Sequence, residues 1–231
     1  MRVVDLRRPL GTPEPVSSVR QGAVEAVPQV QRTPDARRRH VVDRVVASLL
    51  LLIMLPVFLA IAALIKLGSR GPVFYSRPRV GLNGELFSFI KFRTMIPGAD
   101  NLRAEVLGDP DDEMTQRYRD DPRITAVGHF LRRWSLDELP QLINIARGDM
   151  AFVGPRPMLP DEVKLLTPEY RQRHNCRPGL TGLWQISGRK ETTWDERMEL
   201  DLHYVKTQSP RQDLSIVGRT FAVVLRGDGA Y

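Results

Sequence analysis

The chain has 231 residues, 26% of them charged and 42% hydrophobic, a size and balance that exclude a fibrous or wholly disordered protein and suit one folded domain with tails. The net charge of +7 first suggests an acidic partner, but eight arginines against four acids in residues 1–40 supply +4 of it. The remainder is close to neutral, so nucleic acid is not the expected partner. A lone Cys176 excludes a disulfide framework or a cysteine metal site and fits a reducing, cytoplasmic setting, with the thiol an inert buried group.

Residues 1–36 hold five prolines, no aromatic side chain and no sustained period. They cannot bury enough apolar surface to offset their ordering entropy, and are expected to form a disordered basic tail. No apolar core follows within the first 30 residues, so the segment does not read as a secretory signal.

Val45–Ile65 is a 21-residue run with one hydroxyl, Ser48, and no charge. It is long enough to span the roughly 30 Å of bilayer hydrocarbon. Pro56 in its middle lacks an N–H and clashes with the preceding turn, so a helix must kink or break there. Both flanks are basic: Arg37, Arg38, Arg39 and Arg44 before, Lys66, Arg70, Arg77 and Arg79 after. A spanning helix usually places its excess of Lys and Arg on one side only. These residues leave two readings, a spanning anchor and a helix–break–helix that dips into the membrane and returns.

Beyond Gly71-Pro72, Val73–Tyr75 and Leu86–Ile90 predict two short strands, with Asn83-Gly84 a type I′ turn signal between them. If the second strand continues, Lys91 and Arg93 share a face; they form either a solvated edge or a phosphate site. Residues 97–122 are polar and rich in Asp, Gly and Pro, a surface loop with a short helix around 101–107.

The most informative stretch is Phe130–Ile145. Ser135 and Glu138 have capping-box spacing, with the start movable to Asp137 because Pro140 is costly inside a helix. Leu139, Leu142, Ile143 and Ala146 make its apolar stripe. Asp137 and Glu138 then fall in the first turn, where the helix dipole favours ionised carboxylates. Such a pair is either ordinary N-terminal decoration or a nucleophile next to a hard-oxygen Mg²⁺ ligand. Its neighbours favour chemistry: Arg132 and Arg133 precede it, and Gly154-Pro155-Arg156-Pro157 holds a guanidinium on a stiff loop suited to phosphate. Arg177-Pro178-Gly179-Leu180-Thr181-Gly182 is a second rigid loop, leading to Trp184-Gln185 and Ser187-Gly188-Arg189. Thr193 and Glu196 form another capping box, opening a helix through about Gln208 with Met198, Leu202 and Val205 on its apolar face. Arg197 and Asp201, four apart, read as a surface ion pair.

Six motifs together resemble the bacterial sugar transferase family, the monotopic polyprenyl-phosphate phosphoglycosyl transferases. They are the proline-broken apolar segment, Gly71–Tyr75, Lys91-Phe92-Arg93-Thr94-Met95, Ser135–Gln141 with Gly154–Pro157, Arg177–Gly182 and Leu200–Val205. The likeness covers 37–231, read as one membrane-embedded domain. It implies an α+β fold: a re-entrant helix over about 41–67 broken at Pro56, interfacial amphipathic helices and a small antiparallel hairpin around one active site. It implies transfer of sugar-1-phosphate from a UDP-sugar to undecaprenyl or another polyprenyl phosphate on the cytoplasmic face of the membrane. UMP leaves, and a phosphosugar is carried covalently on Asp137. Glu138 matches the Mg²⁺ ligand, and Lys91, Arg93, Arg132, Arg156 and Arg189 the residues near the phosphates. Asp201, Asp213 and Gln185 are supporting residues. Membrane lipid is a partner, nucleic acid is not, and homodimerisation is left open. Leu55 stands where many relatives carry Ser, Arg77 where Gln is usual, and Ser209–Asp213 is more polar than its counterpart.

Two rival classes make different predictions. A non-catalytic anchored scaffold tolerates neutralisation of Asp137, Glu138 and Arg156, and an anchored nucleic-acid binder shows salt-sensitive affinity for DNA or RNA. Glucose or galactose phosphate is the expected cargo, with an amino sugar the alternative.

Overall fold

A computed structural model of the protein describes residues 34–100, 102, 121–188 and 192–226. The expected tail up to residue 33, the short helix expected around 101–107, Arg189 and residues 227–231 lie outside the described residues.

The apolar run forms two helices, α1 (Pro34–Ile53) and α2 (Leu55–Gly68), bent by 62° at Met54. Pro56 causes the break, since it occupies the first turn of α2 and offers no N–H to the carbonyl four residues back. Hydrogen bonds from Met54 N to Leu50 O (2.8 Å) and from Phe58 N to Met54 O (2.9 Å) carry the chain through the bend. Neither helix alone is long and apolar enough to cross a membrane, whereas the bent pair together passes that test of length and composition. One stripe of each arm packs inward: Ala47 on α1, and Phe58, Ile61 and Ile65 on α2 at helical spacing. Most of the remaining apolar side chains, among them Leu49, Leu52, Ile53, Leu59 and Leu67, are exposed.

Strands β1 (Phe74–Val80) and β2 (Leu86–Phe92) pair antiparallel, with Val80 opposite Leu86 and Phe74 opposite Phe92. The expected turn closes them: Asn83 (φ 55°) and Gly84 (φ 81°) both adopt positive φ, and Glu85 N donates to Leu82 O at 3.1 Å. Thr125 caps α3 (Ala126–Arg133), its hydroxyl accepting from Gly128 N at 2.9 Å. Gly128 is needed because a Cβ there would run into the backbone of Thr94.

Helix α4 (Gln141–Arg147) leads into β3 (Ala151–Val153), and a short α5 (Pro160–Lys164) follows. β3 pairs in parallel with β4 (Gly179–Thr181), a second sheet that the sequence reading did not anticipate. Three further helices follow among the described residues: α6 (Leu183–Ile186), α7 (Trp194–Thr207) and α8 (Pro210–Arg226). The capping box on α7 forms as read, with Thr193 and Glu196 exchanging bonds. Helix α8 packs inward through Ile216, while Leu214, Phe221 and Leu225 stand exposed on its far side. The architecture is α+β.

The core is shared with the bent pair. Ala47 of α1 packs with Phe87, Phe89, Leu142, Ile145 and Met150. Phe58, Ile61 and Ile65 of α2 pack with Phe92 and Leu131. The two arms therefore seat the β-hairpin and the helices on either side of residues 134–140.

Candidate active site

Pro140 decides the local structure around the acidic pair. A helix starting at Ser135 would place this ring inside the helix against a carbonyl of the preceding turn. The chain instead ends α3 at Arg133, turns through Ser135 in the left-handed region (φ 54°), and makes a single 3-10 turn over Leu136–Glu138. Pro140 then opens α4, where its missing N–H costs nothing. The expected capping box is thus corrected: Ser135 makes no side-chain cap, and Asp137 and Glu138 precede α4 rather than lying in its first turn. The apolar stripe of α4 also shifts, with Leu142 and Ile145 buried alongside Gln141 and Asn144.

Cations, more than a helix terminus, hold the pair. Lys91, at the end of β2, places Nζ 2.9 Å from Glu138 Oε1 and 3.7 Å from Asp137 Oδ2. Arg156 donates to the same Glu138 Oε1 at 2.9 Å. Burial works against ionisation of Glu138, but Arg156 and Lys91 outweigh it and hold the carboxyl well below its ordinary range. Glu138 in turn raises the affinity of Arg156 for its proton. Asp137 behaves oppositely. Its side chain is 10% exposed, and burial pushes its pKa up, with Lys91 only partly offsetting this and Glu138 adding to it. Glu138 is thus held as the carboxylate by its two cations, while burial disfavours charge on Asp137.

Arg132 sits at the edge of the cluster, its Nε donating to Thr94 Oγ1 at 3.0 Å and its charge acting on Asp137. The loop that presents Arg156 is stitched to β4 by Gly154 N to Thr181 O (2.9 Å) and Gly179 N to Pro155 O (3.0 Å). A side chain at Gly154 would strike the Arg177 carbonyl.

Other expected site residues lie elsewhere. β2 ends at Phe92, so the argument that put Arg93 on one face with Lys91 does not hold. Arg93 is buried and donates to Arg70 O (2.6 Å), Ser69 O (3.1 Å) and Ser69 Oγ (2.9 Å), tying the end of α2 to the hairpin. Asp201 is not a surface partner of Arg197. It is 1% exposed and takes Arg173 Nε at 3.0 Å and Nη2 at 2.5 Å, while Arg197 bonds Thr192 and lies over Trp184. The same Nη2 donates to the Arg156 carbonyl at 2.8 Å, so Asp201 braces the site through Arg173. Asp213 pairs with Arg39 and lies 2.8 Å from the Tyr204 hydroxyl, joining α1, α7 and α8. Gln185 donates to Leu180 O at 3.2 Å, on strand β4 beside Gly154.

Arg173 and Asn144 are the residues that sequence reasoning missed. An acid between Leu200 and Leu202 on a buried helical face needs a charged partner, and that was the available signal for Arg173. Cys176 is half-buried, and burial pushes its thiol up to about 12, consistent with an inert group.

The two adjacent carboxylates are hard oxygen donors. Among the described residues no group of three or more His, Cys, Asp or Glu converges, which argues against an all-protein cage. Magnesium needs no cage, since it keeps waters and takes one or two carboxylates together with substrate phosphates. Both cations bond Glu138 through Oε1, and Asp137 is its neighbour, so the pair fits an ion shared with a phosphorylated substrate.

Comparison with known proteins identifies the family. Residues 35–227 match a family model described as Bacterial sugar transferase, and the chain belongs to that family. It is 43% identical over 194 residues to the exopolysaccharide production protein ExoY of Sinorhizobium fredii, covering 82% of this chain and 86% of the relative. It is 42% identical over 202 residues to the UDP-glucose:undecaprenyl-phosphate glucose-1-phosphate transferase of Caulobacter vibrioides, covering 84% and 72%. An undecaprenyl-phosphate galactose phosphotransferase of Salmonella typhimurium is 45% identical over 166 residues, which cover 70% of this chain and 35% of that longer protein.

Proposed function

We propose that this protein transfers sugar-1-phosphate from a UDP-sugar to undecaprenyl or another polyprenyl phosphate, releasing UMP, as the first membrane step of exopolysaccharide or glycoconjugate assembly. The observation that carries the reading is Asp137 held against Glu138 and Lys91, with Arg156 completing the cluster. The names of the relatives support the substrate classes, and glucose or galactose over an amino sugar.

In the first half-reaction an Asp137 oxygen attacks the β-phosphorus. The bond to the bridging oxygen breaks, its electron pair leaves with UMP, and an acyl phosphate joins the sugar phosphate to Asp137. In the second, an oxygen of the polyprenyl phosphate attacks the same phosphorus, forming the diphosphate and restoring the carboxylate. Burial of Asp137 strips water from the nucleophile, and Lys91 and Arg156 offset the charge that otherwise repels it from the diphosphate. Magnesium, held by Glu138 and the substrate phosphates, would add Lewis-acid polarisation of the phosphoryl oxygens. The residues that supply this chemistry come from β2, the 3-10 turn and the loop after β3; Glu138 joins Lys91 to Arg156, and Arg173 braces the loop that carries Arg156.

The bent helix pair reads as a re-entrant anchor. Its exposed apolar coat and its basic flanks at both ends support entry and exit on the cytoplasmic face of the membrane. The exposed stripe of α8 supports an interfacial position for that helix. Such an anchor holds the site at headgroup depth, where the lipid phosphate lies, and positioning replaces a three-dimensional search. Mass spectrometry of protein treated with UDP-sugar but no acceptor tests the mechanism. A hexose-phosphate adduct on Asp137 is expected in wild type and none in Asp137→Asn. UMP release undiminished in that variant overturns the assignment.

A further inference from the structure

We propose that Arg79 binds the α-phosphate of the nucleotide donor, the group that departs as UMP; this rests on the transferase reading above. Arg79 lies on β1, on the hairpin face that carries Phe89 and Lys91. Its guanidinium carbon is 5.5 Å from the centre of the Phe89 ring, and Lys91 Nζ is 5.4 Å from the same centre. One aromatic side chain thus lies within cation–π range of both cations. Lys91 serves the acidic pair, which leaves Arg79 next along the same wall.

The immediate surroundings of Arg79 are short of negative charge. Its contacts are long, 3.6 Å to Glu162 Oε2 and 3.5 Å to the Pro157 carbonyl. That Glu162 oxygen is already 2.6 Å from the Leu159 N–H, which it caps. Arg79 Nε is buried with no hydrogen-bond partner, a costly state for a charged donor. Burial and the adjacent Arg156 together pull the Arg79 pKa down to about 10. The side chain nonetheless keeps 23% of its surface open, like Arg156 at 25%. A planar guanidinium with long contacts, set beside a second arginine and open to solvent over part of its surface, matches a phosphate oxyanion.

The order of charges assigns which phosphate. Arg156 bonds Glu138 Oε1 at 2.9 Å, and Arg79 reaches the carbonyl of the next residue, Pro157, at 3.5 Å, so Arg79 stands beyond Arg156 on the side away from the acidic pair. In an in-line displacement the leaving group lies on the far side of the reacting phosphorus from the nucleophile. Arg156 can then serve the β-phosphoryl group and Arg79 the α-phosphate beyond it, where charge develops as the bridging bond breaks.

Full-length Arg79→Met and Arg79→Lys proteins in lipid nanodiscs provide the test. Arg79→Met is expected to raise the donor KM and the product-inhibition constant of UMP by about tenfold or more, the weight of one charge-assisted bond. The KM for polyprenyl phosphate is expected to stay within about twofold, and Arg79→Lys to recover part of the UMP affinity because the charge is kept. Unchanged UMP inhibition in Arg79→Met overturns the proposal. So does an equal loss toward donor and acceptor that accompanies a lowered melting temperature and that Lys does not relieve, because that pattern marks a purely structural arginine. Calorimetric titration of UMP into Asp137→Asn protein, with and without Arg79→Met, separates this claim from its premise. Failure of wild type to release UMP removes the transferase reading, while Arg79-dependent UMP binding in that titration still supports the nucleotide contact.

Discussion

The carboxamide of Asn144 fills a place in the β2 ladder: its Nδ2 donates to Ser88 O at 2.7 Å and its Oδ1 accepts from Ile90 N at 3.1 Å. A helix side chain thereby completes the edge of a strand, and the helix after the acidic pair is registered against the strand that carries Lys91. Asn144 is 0% exposed, so the bonds have no water to replace them. Asn144→Leu is expected to cost about 1–3 kcal/mol for each backbone group left unpaired. Thermal unfolding in nanodiscs checks the stability, and a fall in hexose-phosphate adduct at matched protein concentration checks the registration of Lys91.

Asp201 and Arg173 are 1% and 2% exposed. Removing one charge from such a pair leaves the other buried alone, at about 3–5 kcal/mol. Asp201→Ala and Arg173→Met are each expected to yield little folded protein. The Asp201→Leu/Arg173→Met double variant is expected to melt closer to wild type, yet with reduced UMP release, since the Arg156 carbonyl loses its donor. A double variant that is as unstable as the sum of its parts counts against the pairing.

His174 lies on the 3-10 turn Tyr170–Asn175, is 4% exposed, bonds the Gly81 backbone and leaves Nε2 buried without a partner. Burial, with Arg173 adjacent, lowers its pKa to about 3. The unfolded chain then binds the extra proton near pH 6.5 and the folded chain only near 3. Stability from neutral His174 is present above about pH 6.5 and is lost toward pH 3, by up to about 1.4 kcal/mol per pH unit. His174→Gln lacks this term. Its melting temperature is expected to fall short of wild type by the largest margin at pH 8, and by less at pH 5.

The bend makes a topological prediction. Val42→Cys and Arg70→Cys flank the apolar run Val45–Ile65 at exposed positions. Both are expected to react with a membrane-impermeant maleimide from the cytoplasmic side, with half-buried Cys176 silent because burial pushes its thiol up to about 12. Labelling of the two from opposite sides identifies a spanning helix instead.

Local chemistry was legible in the sequence where one or two residues dictate a backbone state. Asn83-Gly84 set the hairpin turn, Pro56 the break, and Thr193 with Glu196 the start of α7. Pro140 carried its message too, and overrode the capping-box spacing of Ser135. Long-range pairing was not legible. The nearest opposite charge to Asp201 in sequence is not its partner, because Arg173 arrives from another element 28 residues away. The strand-like reading of Arg93 failed for a similar reason: its guanidinium finds three oxygens at the end of α2, and those contacts outweigh a period of two. The parallel pairing of three-residue strands β3 and β4 leaves almost no periodic trace.

The two arms of the apolar pair are not a tether attached to an independent enzyme. Excising residues 34–68 would strip Phe87, Phe89 and Leu142 on one flank, and Phe92 and Leu131 on the other, of the atoms that cover them. Cutting the chain at Gly68 is therefore expected to uncover both flanks of the hairpin, and a detergent harsh enough to splay the arms to disturb the acidic pair and its cations as well.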